Sequence, residues 1–338
     1  MILNDLTNLT ELHIYFSLSA DLRTPIVPRS LRAALHHLSP NASLRILCLR
    51  NAYGLAVSEI AGIRSLKCLK LTSFSLAEGV VNVPHAQDTT AINLNTFPCR
   101  LDTLHLEDPL YVGGQQRPAV LNPFRALLAL WPHSQHFVLP LAQLRALKMD
   151  VDYPVEDVVE VIKRQGIRNL EELSVNIRHS RKGNFSVWLD NVVHLQRLSL
   201  RLLAIQVSMA IDNSTIHGAY EDVCTTLSQL MNSENVLEGL EIRVEIMMKH
   251  PTRPDDMVPK TTYMICGHLF RLASVFGSGK DERQWRHLRN LSLRVDFVNV
   301  SSLTVTDFVQ ELKTLLFTRL ALLFQQSFQF HLDVVTSP

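Results

Sequence analysis

No sign of charge predominates in this chain. Lys and Arg number 33 against 32 Asp and Glu, a formal net charge of +1. A near-neutral chain has no global field to gather nucleic acid or an anionic membrane surface. Charged residues make up only 19% of the 338 positions, below the usual quarter. Cysteine is sparse and unpaired in pattern. Cys48, Cys68, Cys99, Cys224 and Cys266 are odd in number, and no two stand at C-x2-C spacing. That argues against a disulfide framework or a zinc site and fits reduced thiols in the cytoplasm or nucleus. The opening "MILNDLTNLTELHIYF" has no basic segment and no small-residue cleavage site, so it does not read as a secretory signal. No apolar run reaches the ~18 residues a membrane span needs. "LLFTRLALLF" (315–324) is interrupted by Arg319 and reads as a buried helix.

Catalytic motifs are lacking as well. There is no G-x-S-x-G elbow and no H-E-x-x-H helix. Gly277-Ser278-Gly279-Lys280 resembles a phosphate loop. However, Ser274 stands where that motif needs Gly, and Asp281 where it needs Ser or Thr. It reads as a turn after a helix. His133 and His136 have no further assignable ligands, and His36-His37 close a predicted helix, where a cation offsets the dipole. The basic run "RHSRKG" (178–183) has no interleaved aromatics and reads as a solvated loop. Six N-x-S/T triplets begin at Asn8, Asn41, Asn184, Asn213, Asn290 and Asn299. Without a secretory signal they reflect the abundance of Asn, Ser and Thr. The expectation is a chain with no catalytic residue, no metal and no cofactor.

What the sequence does have is a repeated phrase. "LTELHI" begins at Leu9, "LRILCL" at Leu44, "LKCLKL" at Leu66, "LDTLHL" at Leu101 and "LRALKM" at Leu144. "LEELSV" begins at Leu170, "LQRLSL" at Leu195, "LEGLEI" at Leu237 and "LRNLSL" at Leu288. Such recurrence argues for an internal repeat. The last two apolar positions of each phrase stand two apart, which in a strand places them on one face. In this reading Leu173, Val175 and Ile177 point one way; Glu172, Ser174 and Asn176 point the other.

Each apolar strand face needs cover, and the intervening segments offer it. "PVEDVVEVIKRQG" (154–166) has Pro154 and acids at its start and Val155, Val158, Val159 and Ile162 on one face. Lys163 and Arg164 fall in its last turn, with Gly166 as its stop. "GAYEDVCTTLSQLM" (218–231) aligns Val223, Leu227 and Leu230. Helices are also expected at 28–38, 54–63, 122–131, 261–277 and 306–324. Burying about four large side chains per unit yields roughly 6–12 kcal/mol. Ordering about 25 residues costs more, at ~1–2 kcal/mol each. One unit cannot stand alone, but stacked neighbours can.

Strand phrases of the form L-x-x-L-x-L alternating with helices resemble leucine-rich repeats of the ribonuclease-inhibitor-like kind. The irregular unit length resembles the repeat regions of fungal F-box proteins. The resemblance covers nearly the whole chain through a short, degenerate motif. It implies an α/β solenoid with parallel strands on a concave face and helices on a convex one. It also implies non-enzymatic protein recognition: the substrate-binding part of an F-box-type ubiquitin-ligase receptor lacking its F-box. A longer form carrying the F-box would then meet a ubiquitin-ligase adaptor. The alternatives are a stand-alone leucine-rich-repeat scaffold and an enzyme sited in the loop insertions. The chain departs from the family pattern. Central Leu spacings are 35, 22, 35, 43, 26, 25, 42 and 51, where regular repeats keep ~20–29. The Asn or Cys expected three residues beyond the phrase is replaced by Ala52, Phe74, Pro109, Asp152, Arg178 and Leu203, which argues against a regular backbone ladder there. No F-box-like segment precedes the first phrase. A single domain over 1–338 is expected, with insertions or loops at 73–100, 107–120 and 247–260.

The outward strand positions define a polar wall. They are His13, Tyr15, Cys48, Arg50, Lys70, His105, Glu107, Lys148 and Asp150, then Glu172, Asn176, Arg197, Arg201, Glu241, Arg243 and Arg294. Arg is suited to forked recognition of carboxylate. Arg197, Arg201, Arg243 and Arg294, with Glu172 and Asn176, are the expected partner-binding strip, fitted to an acidic protein segment rather than to nucleic acid or a membrane.

Overall fold

A computed structural model describes residues 8–16, 35, 43–52, 54–77, 99–107, 123–131, 135–150, 155–177, 195–206, 223–225, 227–228, 230, 236–248, 271, 274–276, 285–298 and 304–337. The expected helix at 28–38, apart from Leu35, lies outside them. So do the loops at 108–120 and 249–260, the basic run 178–183, the Gly277–Lys280 turn, His36, His37, His133 and Cys266. The chain divides into two compact units. One is Met1–Asp152 with Asp157–Leu170; the other is Tyr153–Glu156 with Glu171–Pro338.

All nine phrases form strands. The first unit carries β1 (Glu11–Tyr15), β2 (Ile46–Arg50), β4 (Cys68–Thr72), β6 (Thr103–Glu107) and β7 (Ala146–Asp150). They pair in parallel in chain order. The register sets Leu12, Leu47, Leu69, Leu104 and Leu147 side by side. The repeat spacing in sequence varies, but the phrase always enters the sheet in phase. The reason is visible at each strand start. The carbonyl of Thr10 accepts the N–H groups of both Arg45 and Ile46; those of Arg45, Lys67 and Asp102 do the same for the next strand. A forked bond at a fixed point in the phrase marks the same register at each of these strand starts. The apolar positions of the phrase are then buried, as with Leu44, Leu47 and Leu49.

Just beyond β1, β2 and β4 the backbone ladder continues where the sequence argued against a regular one. Phe16 N–H donates to Arg50 C=O at 3.1 Å, Asn51 N–H to Thr72 C=O at 2.9 Å, and Ser73 N–H to Glu107 C=O at 2.8 Å. Asn51 and Ser73 adopt positive φ, 58° and 50°. The Asn51 side chain donates to Phe16 C=O at 2.8 Å. An asparagine does serve the ladder, one residue earlier than Ala52, which is instead buried apolar filling.

A second pair of strands, β3 (Leu55–Ala56) and β5 (Leu76–Ala77), is also parallel. β3 shortens the helix expected at 54–63 to α1 (Val57–Ala61). The helix at 122–131 contracts to α2 (Pro123–Leu127), because Leu130 pairs with Phe137 in an antiparallel bridge. α3 (Val155–Arg164) forms as expected. Its buried face is Val158, Val161, Ile162 and Gln165, so Val159 lies at its margin. It ends in a Schellman motif: Gly166 N–H bonds Lys163 C=O, Ile167 N–H bonds Ile162 C=O, and Gly166 takes φ 63°.

The second unit carries β8 (Glu172–Ile177), β9 (Arg197–Gln206), β10 (Gly239–Met248), β11 (Asn290–Val298) and β12 (Gln329–Ser337), again parallel and sequential. Glu171, Gln196 and Glu238 carbonyls repeat the forked bond. Val223, Leu227 and Leu230 are buried, as their alignment predicts. The long helix expected at 306–324 divides into α4 (Thr304–Arg319) and a 3-10 turn, Ala321–Gln325. "LLFTRLALLF" is thus not a buried helix. Leu316, Leu320 and Leu323 are buried, but Phe317, Leu322 and Phe324 are exposed. β12 has no L-x-x-L-x-L phrase and is an addition to the nine expected strands. Parallel strands in chain order, with helical crossovers, make this an α/β leucine-rich-repeat solenoid.

Candidate recognition surface

Parallel pairing in phase turns each outward position of the phrase into a row. In the first unit one row reads His13, Cys48, Lys70, His105, Lys148, and the next reads Tyr15, Arg50, Thr72, Glu107, Asp150. Glu107 gathers Lys70 Nζ at 3.7 Å and the Thr72 hydroxyl at 3.2 Å. His13 Nε2 donates to Glu11 at 2.5 Å. Burial pushes the Cys48 and Cys68 thiols up; Lys70 partly opposes this in both. None of the four described cysteines is in a disulfide. Among the described residues no group of His, Cys, Asp and Glu is arranged to hold a metal.

The second unit holds all six residues of the expected strip. The register places Glu172, Arg197, Gly239, Asn290 and Gln329 in one row. Four residues along, Asn176, Arg201, Arg243, Arg294 and Asp333 form another. The guanidiniums of Arg243 and Arg294, on adjacent strands ~4.8 Å apart, would repel if left alone. Asp296 answers this. It lies two residues beyond Arg294, on the same face, and is fully buried. Arg243 Nε donates to its Oδ2 at 2.5 Å, and Arg294 Nε to its Oδ1 at 2.8 Å. Arg243 Nη2 also meets Glu245 at 3.1 Å, and Arg294 Nη1 lies 3.9 Å from Asp333. The hydrogen bond to Asp296, then its charge, raises the Arg294 guanidinium above its ordinary value. Both arginines keep more than a third of their side chains in solvent, 36% and 38%. Arg197 is exposed.

The face is therefore a mixed-charge surface, not a uniform cationic strip. The carboxylates that make it so, Glu245 and Asp296, lie beyond the first outward arginine of each phrase, outside the repeated motif. One more strand period from Arg243 and Arg294 reaches both, and they too are register partners. No described helix is long and apolar enough to cross a membrane.

Comparison with family models gives no match, and neither does comparison with curated proteins. Among solved structures, an internalin from Listeria monocytogenes superposes with a TM-score of 0.30 at 11% identity, covering 97% of this chain and 82% of that one. At that score the superposition adds nothing to the strand order and register, on which the fold assignment stands.

Proposed function

We propose that the chain is a non-enzymatic protein-recognition module that docks its partner on the polar strand face of the second unit. The observation that carries this reading is the alignment of Asn176, Arg201, Arg243 and Arg294 in one row, with Glu172 and Arg197 in a parallel row on the same face. Asp296 holds two of the guanidiniums in place before any partner arrives. Pre-placed side chains give up less rotamer freedom on binding. Their solvent-facing edges suit a short acidic segment, read as discrete carboxylates. The finer reading is the substrate-binding part of an F-box-type ubiquitin-ligase receptor of fungal type, working in the cytoplasm or nucleus. In it the whole chain acts as one domain.

The test is capture of partners from cell extract by the full chain, compared with an Arg197→Glu, Arg201→Glu variant. These two positions are chosen because reversing Arg243 would strand Asp296. A partner held by the native chain and lost at least about tenfold by the variant supports the reading. Equal capture by both sinks it. Recovery of a cullin-ligase adaptor with a form carrying an F-box supports the ligase role. Stable capture without any adaptor leaves a stand-alone scaffold.

A further inference from the structure

β12 forms the outer edge of the second unit's sheet: among the described residues it pairs only with β11. Every second residue of this nine-residue strand therefore turns backbone groups away from β11, a template for another strand. The phase of that edge is fixed. Gln329 N–H donates to Arg289 C=O at 2.8 Å, so residues 329, 331, 333 and 335 turn their backbone groups toward β11. Phe330, Leu332 and Val334 turn theirs outward.

The sequence of this edge, Phe330-His331-Leu332-Asp333-Val334, is self-complementary about Leu332. In an antiparallel pairing of two copies centred there, Leu332 exchanges both backbone bonds with its own counterpart. Phe330 then faces the second copy's Val334, and His331 faces its Asp333, twice over. His331 and Asp333 fall in the non-hydrogen-bonded pairs, where side chains stand closest. Shifting the centre to Asp333 opposes two carboxylates, and shifting it to His331 opposes two imidazoles. Exposed apolar residues precede this strand, and one of them, Phe324, packs on it. Leu322 is 65% and Phe324 46% exposed. Phe324 packs on Phe330 with ring centroids 4.8 Å apart and on Phe317 at 5.6 Å. Exposed apolar residues gathered beside an open strand mark a surface to be covered.

We propose that two copies of this chain associate through β12, antiparallel and centred on Leu332, extending the second unit's sheet across a two-fold axis. The occupant is a second copy because the charge pattern is complementary to its own reversal. Such an interface is isologous and closes at two.

Sedimentation equilibrium of the full chain tests this. The native chain is expected to dimerise. His331→Glu sets a new carboxylate against the second copy's Asp333, and Asp333→Lys sets a new ammonium against its His331. Each variant alone should dimerise at least about tenfold more weakly. Mixed together they should recover a heterodimer. In it one cross-strand pair joins the introduced carboxylate to the introduced ammonium, and the other is the native His331 with Asp333. Leu332→Pro removes an N–H that points away from β11, so it should abolish the dimer while leaving far-UV circular dichroism unchanged. A monomeric native chain overturns the proposal, as does open-ended growth with concentration, the mark of head-to-tail stacking. Dimerisation indifferent to all three substitutions also overturns it, as does failure of the two charge variants to recombine.

Discussion

Asp296→Ala is the perturbation that most directly tests how the arginine row is held. Asp296 is fully buried and accepts from both Arg243 and Arg294. Removing one partner from a buried charge pair costs ~3–5 kcal/mol. Two considerations reduce that figure here. The guanidiniums remain more than a third exposed, so water takes back part of their solvation. Glu245, directly opposite in register, also loses a like-charged neighbour, which returns ~0.2–1 kcal/mol. The expected net loss is about 2–3 kcal/mol. Asp296→Asn, which keeps an acceptor oxygen without the charge, should lose about half of it. Urea unfolding of the full chain reads the loss as a lower midpoint at unchanged slope. Glu241→Ala, an exposed position on the same face, serves as the control. A loss at Asp296→Ala within the ~0.5 kcal/mol of an ordinary surface change would refute the claim that this carboxylate organises the row.

In the first unit, Gln165 is buried and gives its amide to Leu127 C=O at 2.7 Å and Leu139 C=O at 3.2 Å, while accepting from Leu141 N–H at 3.2 Å. Gln165→Leu strands all three backbone groups and should cost about 3 kcal/mol in the same unfolding assay; a neutral result would show them satisfied elsewhere. Cys99 is fully buried, and burial pushes its thiol up to about 12, with Lys67 opposing. Below the ordinary thiol value of 9.0 both states keep the proton and the thiol's contribution is complete. Between that value and about 12 only the unfolded chain ionises, so stability falls as pH rises. Cys99→Ala should flatten that decline in melting temperature, and native-state alkylation should spare Cys99 while reaching the part-exposed Cys48 and Cys68. Trp285 packs on Phe276 at 5.0 Å, but its buried Nε1 has no hydrogen-bond partner among the described residues. Trp285→Phe therefore gives up ring area and relieves an unmet donor. In the unfolding assay it should cost less than Phe276→Ala, which loses ~3–5 kcal/mol; the reverse order would contradict this account.

The strands are legible in the sequence because a two-residue period and a forked backbone bond work together. Leu104 and Leu106 announce which face is buried, and the Lys67 carbonyl, taking the N–H groups of Asp102 and Thr103, fixes the phase. β12 escapes the Leu phrase because Ser327 and Phe330 stand at its first two phrase positions and only Leu332 keeps the Leu. Its strict two-residue period is nevertheless plain. The helices that differ in length from expectation share a physical cause. Periodicity counts apolar residues but not what competes for the backbone: at Leu130 the Phe137 bridge wins, and after Arg319 a 3-10 turn carries the chain to β12. Asn51 stands one position from where spacing places the ladder asparagine, because a positive φ is a property of backbone path that spacing alone does not disclose.

The proposed site is legible in its cations and hidden in its anions, and the difference bears on what kind of ligand such a face would take. A polyanion is bound by neutralising successive phosphates, with strength set by how many unshared cations line its path. On this face Arg243 and Arg294 are shared. Arg243 and Arg294 both answer to Asp296, Arg243 also to Glu245, and Arg294 also to Asp333. Glu241, bonded by the Ser199 hydroxyl at 3.4 Å, stands in the row between. A phosphate backbone laid along these two strands would meet a carboxylate beside each of these two guanidiniums. A folded partner or short segment with acids placed singly against the Arg197 and Arg201 positions would not. The interleaved carboxylates thus serve two ends at once. They make like charges on neighbouring strands tolerable, and on the proposed reading they would narrow recognition from charge in general to charge in position.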